Sequence, residues 1–208
     1  MKSVGIYGEY VLPRIVDKAC GMKSSRPYRE RVCAGLSGDV IEVGFGSGNN
    51  VSQYPGAVTR VVAVEPSDVA WQLARKRVAA SSVPIERVGL DAQGLPFEDD
   101  TFDAALSTWT MCTIPDAVAA LRELRRVLKP GGRLHFVEHG LAPDSNVQRW
   151  QHRLNGIQQR LFGGCNLDRP IAQLVTKGGF TITEIEEFYE KGAPKFLAAD
   201  SLGVAITE

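Results

Sequence analysis

Residues 40–50 read VIEVGFGSGNN, and this stretch decides the fold. Residues 40–43 have the length and composition of a buried strand, and glycines follow at alternate positions, 44, 46 and 48. Glycine lacks a Cβ atom, so its backbone accepts positive φ angles and can lie close to a bound molecule. The segment therefore predicts a buried strand that ends in a ligand-binding turn.

Further apolar runs, with helical patterns between most of them, follow this strand. Such alternation predicts a parallel, doubly wound α/β sheet. The clearest helix opens at Asp116, because apolar residues recur after it at helical spacing, and Pro130-Gly131-Gly132 is expected to stop it. Two alternating runs, 181–189 and 201–207, predict a closing antiparallel pair. The other expected strands are residues 60–64, 85–90, 102–107 and 133–138, and the other expected helices are residues 146–162 and 169–177.

Length and charge restrict the function classes. A chain of 208 residues fits one α/β domain. Lys plus Arg and Asp plus Glu both number 24, so no charge surplus favours nucleic acid or an anionic membrane as partner. The short apolar runs of the first 20 residues predict neither a signal peptide nor a transmembrane segment. We expect a cytoplasmic protein that acts on a small molecule.

The four cysteines, Cys20, Cys33, Cys112 and Cys165, form no C-x-x-C pair and no dense disulfide pattern. Reduced thiols that pack in the interior are the expectation, and no metal is expected. The run HFVEH, residues 135–139, matches a zinc pattern, but on a strand its two imidazoles would lie roughly 13 Å apart, too far to share one ion.

Two common readings of the glycine-rich turn do not fit. A dinucleotide fingerprint requires glycine at position 49, which is Asn49, and a P-loop requires Gly-Lys-Ser/Thr, which is absent. Pyrophosphate binding is therefore disfavoured.

The series Glu42-x-Gly44-x-Gly46-x-Gly48 instead resembles the first motif of Rossmann-like methyltransferases that use S-adenosylmethionine (SAM), of the type 11 or UbiE-like group. Glu65-Pro66, Asp91-Ala92 and the run LKPGGR at 128–133 continue the resemblance in order. It implies a three-layer αβα sandwich with a seven-stranded, mostly parallel sheet and an antiparallel C-terminal hairpin strand. It also implies an N-terminal helical lid (1–35), a SAM-binding core (36–140) and substrate-side helices with closing strands (141–208).

Glu65 ends the second strand, where an acceptor-only carboxylate can receive both ribose hydroxyl hydrogens. Asp91-Ala92 resembles the pair that receives the adenine amino group. The expected SAM-binding residues are Glu42, Gly44, Gly46, Gly48, Asn50, Glu65, Pro66, Asp91, Ala92 and Thr108.

The acceptor side is expected after the fourth and fifth strands. His139, at the end of the fifth strand, is the candidate catalytic residue that orients or deprotonates an acceptor, with a structural role as its alternative. The expected substrate-binding residues are Trp109, Cys112, His139, Trp150 and Asn166.

A narrower resemblance comes from TWTMCT (108–113), FVEH (136–139) and GCNLDR (164–169), which look like the animal methyltransferase-like thiol S-methyltransferases and their bacterial relatives. It implies a small alkyl thiol as acceptor, and a thiol already supplies some thiolate at neutral pH. The animal members carry an N-terminal membrane anchor that is not found in this sequence.

Two alternatives stay open. One is an O-, N- or C-methyltransferase of a hydrophobic metabolite or lipid, favoured if Trp109, Trp150, Phe162 and Tyr189 wall an aromatic pocket. The other is a non-catalytic SAM-binding module that regulates a partner.

Overall fold

The computed structural model describes residues 7–89 and 92–208, in which helices and strands are interspersed along the chain. The strands are β1 (Gly38–Val43), β2 (Val58–Val64), β3 (Ile85–Val88), β4 (Phe102–Thr108), β5 (Leu128–His139), β6 (Thr181–Tyr189) and β7 (Ala199–Ile206). The helices are α1 (Leu12–Cys20), α2 (Arg26–Cys33), α3 (Asp68–Ala79), α4 (Ala117–Val127), α5 (Ser145–Leu161) and α6 (Ile171–Lys177), with short helical turns at Tyr7–Val11, Val51–Gln53 and Lys195–Leu197.

The strands form one sheet in the order β3-β2-β1-β4-β5-β7-β6. Strands β1 to β5 pair in parallel, whereas β7 pairs antiparallel with both β5 and β6. The predicted α/β sandwich with an antiparallel C-terminal pair is confirmed. Strand order reverses between β1 and β4, and ligands of open α/β sheets bind at such a switch point.

Apolar side chains cover both faces of the sheet. On one face, Leu121 and Leu124 of α4 belong to the same buried cluster as Phe102 and Phe136. On the other, Leu36, just after α2, belongs to a cluster with β1 and β4 residues. These two layers hold the strand ends of β1, β2 and β4 in fixed positions beside the switch point.

Several predicted boundaries shift. The fifth strand begins at Leu128, so Pro130-Gly131-Gly132 lie inside it. Leu128 pairs with Phe102 of β4, and the backbone N–H of Thr207 donates a hydrogen bond to the carbonyl of Gly132. These contacts make the segment part of the sheet. The third strand ends at Val88, two residues early, and Leu90 lies outside the described residues.

Helix α5 forms as predicted, but most of its apolar face does not pack inward. Its buried residues are Val147 and Gln151, whereas Trp150, Ile157 and Leu161 are exposed. Across the described residues, none of the helices has both the length and the apolar character needed to traverse a lipid bilayer.

Candidate active site

A cleft of about 410 Å³ lies at the carboxyl ends of the parallel strands, beside the switch point. The glycine-rich turn after β1, Glu65 at the end of β2 and the segment after β4 line it. Leu12, Pro13 and Val16 of α1 line its N-terminal side, and Phe162 and Gly163 line it from the end of α5. Its volume lies within the range of small-molecule sites.

The backbone of the turn after β1 requires glycine. Gly44 and Gly46 have φ angles of 67° and 59°. A Cβ atom on Gly44 would lie 2.1 Å from Oγ1 of Thr110, so this position admits no side chain. A Cβ atom on Gly46 would meet only a backbone oxygen at 3.8 Å, which leaves the peptide open toward the cleft. The turn thus presents bare backbone to a bound molecule.

Glu65 is fixed by the turn that it faces. Its carboxylate accepts hydrogen bonds from the backbone N–H of Gly46 at 2.7 Å and of Ser67 at 2.7 Å. Burial raises the pKa of Glu65, although these two hydrogen bonds oppose the rise. Each carboxylate oxygen keeps a free lone pair, so this side chain can accept two further hydroxyl donors from a ligand.

Glu42 organises the wall behind the turn instead of lining the cleft. It is buried, and it accepts hydrogen bonds from Nδ2 of Asn50 at 2.9 Å and from the hydroxyl of Tyr54. Asn50 Nδ2 also donates to Oγ1 of Thr108 at 3.0 Å. Burial raises the pKa of Glu42 to about 7, against the hydrogen bonds from Tyr54 and Asn50.

Arg29 of α2 joins this network and was not anticipated from the sequence. Its guanidinium donates to Oδ1 of Asn50 at 2.6 Å and to the carbonyl of Cys20 at 2.9 Å, and it lies 4.6 Å from the ring centre of Trp109. The segment RPYRER contains three arginines, and no pattern distinguishes the buried one. Arg29 thereby ties α1 and α2 to the cleft.

The segment after β4 is held in an unusual conformation. Trp109 has a φ angle of 50°, which is strained for a bulky residue and typical of functional segments. Buried Glu138 accepts from the backbone N–H of Thr110 at 2.8 Å and of Met111 at 2.9 Å. Arg169 donates to the carbonyls of Met111 and Ile114. Charged side chains from β5 and the 169 loop therefore fix this wall of the cleft.

Behind that wall lie Cys112, His139 and Cys165. The Sγ atoms of Cys112 and Cys165 are 3.7 Å apart, and Sγ of Cys165 is 3.9 Å from Nδ1 of His139. The contact with Cys112, together with His139, lowers the pKa of Cys165, whereas that of Cys112 is raised. Burial lowers the pKa of His139, but Cys165, Asp200 and Glu138 outweigh it, so the net pKa is raised.

The structure divides the expected SAM-binding residues into two groups, and Asp91 lies outside the described residues. Those that line the cleft are Gly44, Gly46, Glu65, Pro66, Ala92 and Thr108. Those that lie behind it are Glu42, Gly48 and Asn50, which are buried in the packing of the turn.

Only some of the expected substrate-binding residues line the cleft. Trp109 lines the cleft, whereas Cys112 and His139 lie behind its wall and do not line it. The amide of Asn166 is taken up by loop contacts, donating to the carbonyls of Cys112 and Gly164.

Trp150, which is also expected to bind the substrate, is not among the described residues that line this cleft. This side chain is 55% exposed and lies against Arg153, away from the lining of the cleft. Val147 and Gln151 occupy the inward face of α5, and a residue between them in the helical turn points outward.

Comparison with known proteins identifies the class of this site. Residues 41–136 match a family described as methyltransferase domain. The chain contains a methyltransferase domain of the SAM-dependent, Rossmann-like class. The matched residues run from within β1 to within β5, and they include the carboxyl ends of β1, β2 and β4 beside the cleft.

Two curated relatives show what this methyltransferase domain resembles. Human thiol S-methyltransferase TMT1A is 31% identical over 159 residues, which cover 74% of this chain and 65% of the relative. Demethylmenaquinone methyltransferase of Clavibacter sepedonicus is 32% identical over 120 residues, which cover 57% of this chain and 49% of the relative. The matched regions thus span about half to two thirds of these relatives' length.

A solved structure supports the fold. N-methyltransferase NodS from Bradyrhizobium japonicum WM9, in complex with S-adenosyl-L-homocysteine, superposes with a TM-score of 0.69 at 14% identity, covering 95% of this chain and 92% of that one. At this identity the likeness shows the fold alone.

Proposed function

We propose that this protein transfers the methyl group of SAM to a small alkyl thiol. The proposed SAM binding rests on the position of Glu65, whose carboxylate accepts a hydrogen bond from the backbone N–H of Gly46 in the glycine-rich turn. The free lone pairs of Glu65 suit the two ribose hydroxyls, and the bare peptide at Gly46 admits the rest of the nucleoside. Pro66, Ala92 and Thr108 complete this part of the cleft.

Transfer is an in-line displacement, in which the thiolate sulfur forms a bond to the methyl carbon as the bond to the SAM sulfonium breaks. The products are a thioether and S-adenosylhomocysteine, and the thiol proton passes to solvent. The chain's part is to align the two sulfur atoms and to exclude water. We assign these tasks to Trp109 and to α1, which borders the cleft through Leu12, Pro13 and Val16.

The lining of the cleft favours an acceptor that needs no strong base. Among the described lining residues the carboxylates are Asp17, which pairs with Arg77, and Glu65, and no histidine is present. A thiol is partly deprotonated at neutral pH and is strongly nucleophilic as thiolate. The identity with human thiol S-methyltransferase TMT1A supports the same choice. We also propose a cytoplasmic location. The described cysteines are free thiols, which suits a reducing compartment.

A second candidate is methylation of a hydrophobic quinone-like acceptor. The similarity to demethylmenaquinone methyltransferase favours it, as does the apolar mouth formed by Ile114, Leu12 and Phe162. Carbon methylation requires a general base, or a substrate that is already ionised. The described lining of the cleft does not offer such a base.

Calorimetric titration with SAM tests the cofactor site. We expect one binding event in the wild type and at least tenfold weaker binding, about 1.4 kcal/mol, in Glu65→Ala. Glu86→Ala, which removes an exposed carboxylate from neighbouring β3, serves as the matched control and should bind as the wild type does. Absence of binding by the wild type would refute the proposal.

Acceptor choice is tested separately, by release of S-adenosylhomocysteine with small alkyl thiols, quinols, phenols and amines. Turnover with thiols supports the proposal. Turnover confined to quinols favours the second candidate, and SAM binding without any transfer indicates a regulatory module.

A further inference from the structure

We propose that Cys112, His139 and Cys165 form a three-ligand site for a thiophilic divalent cation such as zinc(II). One ligand atom from each lies within 4.8 Å of the other two. In the part of the chain that the structure describes, no other group of histidine, cysteine or acidic side chains meets that condition. This site is separate from the proposed methyl transfer, because its side chains lie behind the wall of the cleft.

The spacing of the ligand atoms fits a tetrahedral ion. Two thiolates bound to zinc at about 2.3 Å lie about 3.8 Å apart, and a thiolate and an imidazole nitrogen lie about 3.6 Å apart. The observed separations are 3.7 Å between the two Sγ atoms and 3.9 Å between Sγ of Cys165 and Nδ1 of His139. These two separations are within a few tenths of an ångström of the tetrahedral values, and the third pair, Cys112 and His139, lies within 4.8 Å.

The three ligands come from different segments of the chain, and hydrogen bonds hold these segments to one another. Cys112 belongs to the segment held by Glu138 and Arg169, and its own carbonyl accepts two hydrogen bonds from Asn166 at 2.9 Å each. His139 ends β5 in the interior of the sheet. This preorganisation lowers the conformational entropy lost when a metal binds.

The surroundings of His139 provide an independent indication. Its Nε2 atom is buried and has no hydrogen-bond partner, and the same is true of Oδ2 of Asp200. His139 and Asp200 are direct partners across β5 and β7, and each is at least nine-tenths buried. Histidines that bind a metal through one nitrogen usually donate the other N–H to a carboxylate, directly or through water. The histidine and the carboxylate of that arrangement are present side by side.

The number of ligands indicates what kind of site this is. Structural zinc sites have four protein ligands, whereas sites with three leave one position for water or an exogenous ligand. Two thiolates and one imidazole favour zinc(II) and similar ions over magnesium or calcium, which prefer oxygen ligands. We therefore assign the site to a borderline-soft cation with one exchangeable position.

Cobalt(II) titration of metal-stripped, fully reduced protein tests the site, because tetrahedral thiolate-bound cobalt has intense charge-transfer absorption. We expect one equivalent to bind in the wild type, with zinc(II) displacing it. Cys165→Ser, at a half-exposed position, and His139→Gln should weaken binding at least tenfold and reduce the sulfur-to-cobalt absorption. Cys33→Ala and His152→Ala remove a thiol and an imidazole outside the cluster and should leave the titration unchanged.

The readout uses neither SAM nor an acceptor, so it is independent of the proposed methyl transfer. Circular dichroism checks that each variant is folded. A third ligand variant, Cys112→Ser, is added where it folds, and Cys165→Ser and His139→Gln test the site without it. No stoichiometric cobalt absorption in reduced wild type would overturn the proposal. It would also be overturned if the two thiols form a disulfide readily while the reduced protein binds no metal.

Discussion

Glu42 shows how one buried carboxyl group links the cofactor turn to pH. It lies behind the glycine turn and is held by Tyr54 and Asn50, yet burial is strong enough to raise its pKa to about 7. The residue thus holds its proton in the folded chain well above the pH at which an unfolded chain releases it.

We predict that Glu42 destabilises the fold progressively as pH rises from about 4.5 to about 7. Over this window the folded state binds more protons than the unfolded state, so the free energy of unfolding falls with pH. Denaturant titrations of the wild type and Glu42→Gln across this range provide the measurement. The stability of the wild type relative to the variant should decrease with pH, and a constant difference would contradict the prediction.

A second prediction concerns the side chain of Arg29. Arg29→Met removes charged hydrogen bonds to Asn50 and to the carbonyl of Cys20, which leaves one buried and one partly buried acceptor without this donor. We expect a loss of about 2–3 kcal/mol in the free energy of unfolding. Arg26→Met, in an exposed pair on the same helix, should cost less than about 0.5 kcal/mol in the same denaturation assay.

Single residues also show the limits of sequence reasoning. Gly44 and Glu65 could be predicted, because a bare turn and a strand-end carboxylate have local signatures. Arg29 could not, since its hydrogen-bond partners Cys20, Asn50 and Thr108 are 9, 21 and 79 residues away along the chain. Cys112 and His139 were expected on the same side of the site, but their contacts with Cys165 join three separate segments and have no local signature.

Helix α5 carries the clearest difference at the scale of elements. Its helical period and length were predicted correctly to within a residue at each end, but the apolar stripe proved to be largely exposed. Periodicity reports that one face is apolar, and it does not report whether a partner covers that face. The buried amide of Gln151, which bonds to Ala142 and Gly140, anchors the helix instead.

This helix contains a glycine without a structural role. Gly156 lies in the exposed part of α5, and a Cβ atom there would meet nothing within 4 Å. Gly156→Ala should therefore stabilise the protein by about 0.5–1 kcal/mol, because alanine loses less backbone entropy in a helix. Thermal unfolding measures the effect, and a lower midpoint would show that Gly156 is constrained in a way that local packing does not reveal.

The arrangement of the whole sheet was predicted more accurately than the residues at which its strands begin and end. Strands interspersed with helices favour a parallel sheet, and the resemblance implied seven strands with an antiparallel C-terminal hairpin strand. Boundaries shifted where pairing extended a strand, as at Leu128, since pairing depends on neighbours that are distant in the sequence.

Substitution of Gly203 tests how closely β7 packs between β5 and β6. It lies in β7 between Phe136 of β5 and Ile185 of β6, and a Cβ atom would come within 2.4 Å of the carbonyl of Glu184 and 2.7 Å of the Phe136 ring. Gly203→Ala should cost at least about 2 kcal/mol in denaturant unfolding. Gly94→Ala, with open space around the added atom, should be neutral; equal effects would contradict the packing argument.

The position of β7 also has a consequence for biosynthesis. Strand β6 precedes β7 in the chain but pairs in the sheet only with β7, which itself pairs with β5. During translation, the parallel half of the sheet can assemble while β6 has emerged without a partner and β5 presents an unpaired edge. Such an edge can pair with another nascent chain until residues 199–206 leave the ribosome. Slow translation of the segment before β7 should therefore increase misassembly between polysome neighbours.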